Sequence, residues 1–311
     1  MSWTHRAAAA TAAALLALGL GACGESASTA GSGADPDTLV LAAVPAEEST
    51  DMKGSYQPVL DMLAKETGKK IEFRQATDYA AVIEGQISGK IQIAQYGPLS
   101  FVLAQSKGVK AEPVGAYVDA KDAKPGYQSY AITRTGSGIT SLADLRGKKV
   151  CFVDPSSTSG YLYPAAGLLK EGIDPKTGVQ PVFAGGHDSS VLEVKNGRCD
   201  AGFAFDSMVD KQLIEKGQLK PGEVTTLWRS PTIPGSPVAV STTLSPQLRA
   251  TIAAAFRDKA NVDYLRANGF CTGECLIGDE RSWGFAAVTN ADYDPVREVC
   301  ATTKNENCSK A

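Results

Sequence analysis

The chain has 311 residues, 43% of them hydrophobic, and 31 Lys and Arg against 34 Asp and Glu leave a formal charge of −3. That length supports one large or two smaller lobes. The charge balance excludes the concentrated basic surface that a nucleic-acid partner requires.

The chain opens MSWTHRAAAATAAALLALGLGAC, with His5 and Arg6 ahead of an apolar stretch from Ala7 to Leu20. This pattern predicts an export signal over residues 1–22, too short to span a membrane comfortably. Leu20-Gly21-Ala22-Cys23 matches a bacterial lipobox, so Cys23 is expected to become the lipidated first residue. An ordinary signal with Cys23 merely nearby is the alternative. Residues 23–37 lack any apolar side chain large enough to build a core and read as a flexible tether. The expected product is extracytoplasmic and lipid-anchored to the cell membrane.

From residue 38 apolar runs alternate with amphipathic stretches. TLVLAAVP predicts a strand, SYQPVLDMLAKETGK a helix closed by Gly68, and KIEFRQA a second strand. DYAAVIEGQISGK reads as a helix, IQIAQYG as a strand, and PLSFVLAQSKG as a helix with Pro98 at its first position, where proline is tolerated. VKAEPVGAYV and YQSYAITRT are extended. A second round follows: helix at SLADLR, strand KKVCFVD, helix YLYPAAGLLKEG, strand QPVFAG, helix DSSVLEVKNGR, strand CDAGFAF, helix MVDKQLIEKG and strand VTTLWRS. SPVAVSTTLS then leads into a helix at PQLRATIAAAFRDKA.

This order predicts an α/β fold of two similar lobes, each a mainly parallel sheet flanked by helices. Lobe 1 is expected over 38–128 plus 240–311 and lobe 2 over 129–239, joined by two crossings near 128–133 and 232–240. Ligands of open α/β sheets sit beyond the carboxyl ends of the strands, which places the site in the interlobe cleft.

Besides Cys23 the chain carries six cysteines. An even number in an exported chain favours three disulfides out of about fifteen pairings. Sequence proximity suggests Cys271 with Cys275 and Cys300 with Cys308, which leaves Cys151 with Cys199 at the heads of two strands that can lie side by side. A four-cysteine zinc site in the C-terminal region is the alternative, weakened by the absence of close CxxC pairs.

The loops that follow strands are the candidate site. DPSSTSGYLYP concentrates Ser156, Ser157, Thr158, Ser159 and Gly160 where a strand ends. Read alone it is a helix cap, because hydroxyl oxygens accept from the first amides of a helix. The same amides and hydroxyls also suit an anion. GGHDSSV supplies a second helix entry and His187, placed to donate to an anion. Tyr79, Tyr96 and Tyr127 occupy other loop positions, where tyrosine closes over small ligands and offers a hydroxyl.

Taken together, DYAAVIEGQISGKIQIAQYGPLS, PGYQSYAIT, DPSSTSGYLYP, GGHDSSVLEVKNGRCDAGFAFD and WRSPTIPGSPVAV resemble the substrate-binding proteins of phosphonate ABC transporters, a family that includes phosphite binders. The resemblance runs from about residue 38 to about residue 265 and implies a two-lobed, type II periplasmic-binding-protein fold. It implies that Ser157, Thr158, Ser159 and His187 hold the oxyanion, that Tyr79 and Tyr127 line the cleft, and that Tyr96 lies in the matching turn. Members that bind an aminoalkyl phosphonate neutralise its amine with acidic residues at two places. Here these are Asp206, beside Ser207, and Ser236. The serine weakens the case for an amine, because an enclosed ammonium needs a charged partner, and brings in phosphite or methylphosphonate, while Asp206 keeps an aminoalkyl ligand open.

The expected function is that of a monomeric solute receptor. It binds a small phosphorus oxyanion, closes, and delivers it to an ABC permease and its ATPase, with no cofactor, metal or catalysis of its own. Phosphate, a sulfonate or a thiamine-precursor phosphate are the alternatives within this class. The rival is an extracellular hydrolase built on Ser157 or Ser159 with His187 and Asp188. It lacks a G-x-S-x-G elbow, and Asp188 is too close in sequence to orient the ring. One mature histidine is a poor start for a two-metal phosphatase.

Overall fold

A computed structural model describes residues 35–46, 52–273, 275, 277–278, 281–303 and 308. The expected signal, Cys23 and most of the tether lie outside the described residues. The chain is pinned from Asp35, whose carboxylate accepts from the backbone N–H and hydroxyl of Ser245.

Strands and helices alternate through the first half: β1 (Thr38–Ala43), α1 (Met52–Thr67), β2 (Lys70–Gln75), α2 (Tyr79–Ile87), β3 (Ile93–Gln95), α3 (Pro98–Ser106) and β4 (Ala111–Val118). A short strand β5 (Gly126–Tyr127) leads to β6 (Ser129–Arg134). The pattern then repeats as β7 (Lys149–Phe152), α4 (Tyr163–Lys170), β8 (Gln180–Phe183), α5 (His187–Lys195), β9 (Ala201–Phe205), α6 (Leu213–Glu215) and β10 (Val224–Arg229). The chain returns through β11 (Ile233–Pro234) and β12 (Pro237–Ser241), then α7 (Pro246–Asp258), α8 (Val262–Ala267), β13 (Gly284–Ala286) and α9 (Asp294–Thr303). Gly68 closes α1 with φ of 64°, as its position predicts. Two expected helices are shorter than their periodicity suggests. SLADLR forms only a 3₁₀ turn over Leu142–Leu145, and MVDKQLIEKG opens as a π turn over Met208–Gln212 before α6.

The strands form two main sheets, ordered β13-β4-β12-β3-β1-β2 and β10-β6-β9-β7-β8. β1 runs parallel to β2 and β3, and β7 runs parallel to β8 and β9. β12 lies antiparallel between β3 and β4, and β6 lies antiparallel between β9 and β10. The sheets are therefore mixed, more so than mainly parallel lobes suggest, although β1 to β4 share one direction and so do β7 to β10. β13 adds a further antiparallel edge strand.

The antiparallel strands β6 and β12 have a common cause. Each enters directly after a hinge segment, β5 or β11, and these two segments pair with each other. Parallel strands run toward the cleft at their carboxyl ends, whereas a strand arriving from the hinge must run away from it. The crossings are tighter than expected, since Ser129 and Pro237 already belong to the two sheets.

The core follows strand alternation. Leu39, Leu41 and Ala43 pack on one face of β1 with Met62, Leu63 and Phe256, while Val40, Ala42 and Val44 pack on the other with Val82 and Phe101. In the second lobe Val150 and Phe152 face Leu168 and Phe203, and Cys151 faces Val191 and Val194.

Three disulfides link Cys151 to Cys199, Cys271 to Cys275 and Cys300 to Cys308. These are the pairs that proximity suggested, and they occupy the thiolates that a zinc site would use. Among the described residues no His, Cys, Asp and Glu group is placed to hold a metal ion. Nor is any helix there long and apolar enough to cross a membrane. The C-terminal helix α9 packs on both α3 and α4. Just ahead of it, Tyr293 packs edge-on to Phe101 and donates its hydroxyl to the Gly235 carbonyl in the hinge.

Candidate functional site: the interlobe cavity

A cavity of about 20 Å³, counted as the space open to the centre of a water molecule, lies where four helical segments begin. Tyr79 starts α2, Gly97 caps α3, Ser157 caps the π turn that leads into α4, and His187 starts α5. Each helix start leaves amides without intrahelical carbonyls and carries the positive end of the backbone dipole. The sequence pointed to two such termini, both in lobe 2, and the fold adds two from lobe 1. No Lys, Arg, Asp or Glu lines the cavity among the described residues.

The lobe 2 wall is the DPSSTSG loop. Asp154 Oδ1 accepts from the Ser156 amide at 2.7 Å and the Asp154 carbonyl accepts from the Ser157 amide, which turns the chain sharply after β7. Ser157 Oγ then accepts from the Gly160 amide at 3.1 Å, the cap that the composition predicted. Gly160 permits the close approach, since a Cβ there would lie 2.7 Å from Ser157 Oγ and collide with Val153. The Ser159 carbonyl accepts from Ser129 Oγ at 2.6 Å, which fixes the loop to β6.

Thr158 reaches across the cleft. Its Oγ1 accepts from the Leu99 amide at 2.8 Å. Gly97 has no side chain to cap α3, so a threonine of the opposite lobe does it. The hydroxyl proton of Thr158 remains available to donate toward the cavity. A second interlobe bond runs from the His187 amide to the Ala46 carbonyl at 2.8 Å.

His187 is buried, and burial lowers its imidazole to about 3, so the ring is neutral in this state. Its Nδ1 accepts from the Phe205 amide at 3.3 Å, which assigns the proton to Nε2. Nε2 lies 3.5 Å from Ser157 Oγ. The ring is therefore a neutral donor, and a bond from it to an ionised oxygen is charge-assisted through the acceptor, as the sequence suggested. The same arrangement rules against a serine hydrolase. A catalytic triad needs a carboxylate at Nδ1 and a bare Nε2 to take the serine proton; here a backbone amide occupies the first and a proton the second.

Tyr127 of β5, Ser236 beside β12 and Phe205 at the end of β9 complete the hinge side. The structure thus brings together Tyr79, Tyr127, Ser157, Thr158, Ser159, His187 and Ser236. It does not bring Tyr96 or Asp206 to the cavity. Tyr96 turns into the lobe 1 core, where its hydroxyl donates to Gln86 Oε1 at 2.9 Å and burial raises its ionisation above the usual phenol range. The cavity position belongs to its neighbour Gln95, because successive strand residues face opposite sides. Asp206 Oδ2 accepts from the Gln128 amide at 2.9 Å, and Oδ1 accepts from the Ser207 amide. Burial raises its carboxyl while those hydrogen bonds pull the other way. Val44, Ala46, Gln95 and Gly97 lie in the loops VPAEESTDMKG and QYGPLS, which follow strands and so belong to the expected site, although none of the four was singled out as a ligand residue; Phe205, at the end of β9, was not singled out either.

Two α/β lobes that meet at a two-crossing hinge and close on such a cavity have the type II periplasmic-binding-protein architecture. The chain belongs to the family described as ABC transporter, phosphonate, periplasmic substrate-binding protein, whose pattern matches residues 41–293. It is 49% identical to the phosphate-import protein PhnD of Mycolicibacterium smegmatis over 96% of this chain and 97% of that protein. It is 28% identical to the phosphonates-binding periplasmic protein of Escherichia coli, over 81% of this chain and 73% of the relative. A crystallised phosphonate-transporter binding component from Pseudomonas aeruginosa superposes with a TM-score of 0.74 at 24% identity, covering 89% of each chain. A methylphosphonate complex from Prochlorococcus marinus also gives 0.74, at 15% identity over 87% of this chain and all of that one. The chain is a binding protein of an ABC importer rather than an enzyme.

Proposed function

We propose that this chain is the lipid-anchored receptor that captures a compact phosphorus oxyanion, phosphate or a phosphonate no bulkier than methylphosphonate, and presents it to the permease of its importer. The observation that carries the reading is the cavity itself: small, ringed by helix starts and hydroxyls, and without a carboxylate among its described lining residues. Ser157, Thr158, Ser159 and His187 are the proposed oxyanion ligands, with Tyr79, Tyr127 and Ser236 closing the pocket. Helix N-termini stabilise an anion without a cationic side chain, and neutral donors let it leave again when the lobes part.

An aminoalkyl phosphonate fits less well. Its ammonium would meet no carboxylate among the described residues of the cavity wall, and Asp206 already serves two amides. The phosphate-import function of the Mycolicibacterium smegmatis relative supports the compact reading. Anchoring through Cys23 completes the proposal, since a tethered receptor stays near its permease.

Calorimetry of the purified protein against phosphate, phosphite, methylphosphonate and aminoethylphosphonate tests the assignment. Binding of one or more of the first three, with aminoethylphosphonate weakest, is expected. Silence toward all four sinks it. Incorporation of labelled lipid that a Cys23→Ala variant abolishes tests the anchor.

A further inference from the structure

Gln95 carries a polar atom that the fold does not satisfy. The residue is 1% exposed, lines the cavity, and its Oε1 has no hydrogen-bond partner among the described residues. Its Nε2 donates to the Tyr96 carbonyl at 3.2 Å. That bond decides which way the amide faces. A carbonyl accepts only, so exchanging the two ends of the amide would set two acceptors against each other. Oε1 is left as a bare acceptor on a side chain that lines the cavity. A buried acceptor without a donor costs about 1–3 kcal/mol, and native structures rarely leave one unexplained.

A fully deprotonated tetrahedral anion makes the defect worse, because each of its oxygens is also an acceptor. A ligand that keeps one O–H cures it. The geometry points to Gln95 as the residue that reads a proton on the ligand: it accepts from the P–OH of a hydrogen phosphate, or of a phosphonate monoanion, while the amides, hydroxyls and His187 Nε2–H serve the ionised oxygens. This rests on the oxyanion reading above and narrows it to the protonated form. Sulfate, which carries no proton near neutral pH, is refused. The selection comes from a neutral amide, so the reader itself does not titrate. Among the described residues, the imidazole of His187 and the phenols of Tyr79 and Tyr127 are the titratable groups that line the cavity with it.

Fluorophosphate isolates the effect, for it has the shape and charge of hydrogen phosphate with fluorine in place of the O–H. Calorimetry on the purified protein at one pH should show phosphate binding at least about tenfold more tightly than fluorophosphate, and sulfate weaker still. In a Gln95→Met variant, similar in length but without the acceptor, phosphate should weaken until the two ligands lie within about threefold of each other. Equal binding of phosphate and fluorophosphate by the unaltered protein overturns the inference and leaves the oxyanion receptor standing. So does a Gln95→Met variant that keeps the full preference. Silence toward every phosphorus oxyanion defeats both. The comparison in the unaltered protein decides the matter even when the variant does not fold.

Discussion

Replacing Thr158 with valine removes one hydroxyl and keeps the shape of the side chain. Oγ1 accepts from the Leu99 amide at 2.8 Å, so the change uncaps α3 in the closed form. Loss of a helix cap costs about 1 kcal/mol. The hydroxyl proton, aimed at the proposed anion, adds a hydrogen bond to a charged group worth about 1.5–3 kcal/mol. The sum, about 2.5–4 kcal/mol, corresponds to roughly a hundredfold to thousandfold weaker oxyanion binding. Serine at the same position keeps both bonds and should stay within about fivefold of the unaltered protein, since only a methyl group is lost. Calorimetry reads the affinities, and small-angle scattering reads whether saturating ligand still compacts the molecule. Valine binding as tightly as threonine, or serine failing as badly as valine, would refute the coupling of cap and ligand through one hydroxyl.

His187 should make stability fall with acid. Its native ring is pushed down to about 3, below the ordinary histidine value, so the unfolded chain binds more protons between the two. Stability is therefore present above about pH 6.5 and is lost as the pH falls toward 3, by up to about 1.4 kcal/mol per unit. Asp154 and Asp206, raised by burial, oppose this slope, so the reading is the difference between urea titrations of the unaltered protein and a His187→Gln variant. That difference should shrink by about 2 kcal/mol from pH 7 to pH 5, and parallel curves would contradict it. Alanine at both Cys151 and Cys199 opens a loop of sequence separation 48 in the second lobe. Chemical denaturation should show a loss of about 2–4 kcal/mol. Gly160→Ala forces a methyl group against Val153 and Ser157. It should destabilise the fold by about 1–3 kcal/mol and abolish oxyanion binding, which thermal melts and calorimetry would register together.

Much of this molecule is legible along the chain. The strand of Thr38–Ala43 buries both faces, and its unbroken apolar run says so. Gly68, Pro98 and Ser157 mark helix ends by chemistry that acts over a few residues. Cys151 and Cys199 pair because β7 and β9 are neighbours, which the alternation of strands and helices already implied. Other features depend on single-residue geometry. Tyr96 and Gln95 are adjacent, and only the direction of β3 in its sheet chooses which one faces the cavity. Asp206 follows β9 as a ligand residue would, yet two backbone amides claim its carboxylate.

DPSSTSGYLYP illustrates the division. Its hydroxyls and glycine specify a helix cap locally, because Ser157 Oγ finds the Gly160 amide three residues on. Family-like order adds that the loop belongs to a receptor for phosphorus oxyanions. What only the folded chain decides is that Thr158 caps a helix of the other lobe, that His187 is neutral with its proton on Nε2, and that Gln95 presents a lone acceptor. These depend on groups that lie tens of residues apart and meet only when two sheets close on one another, and no local pattern of residues encodes a distance of that kind.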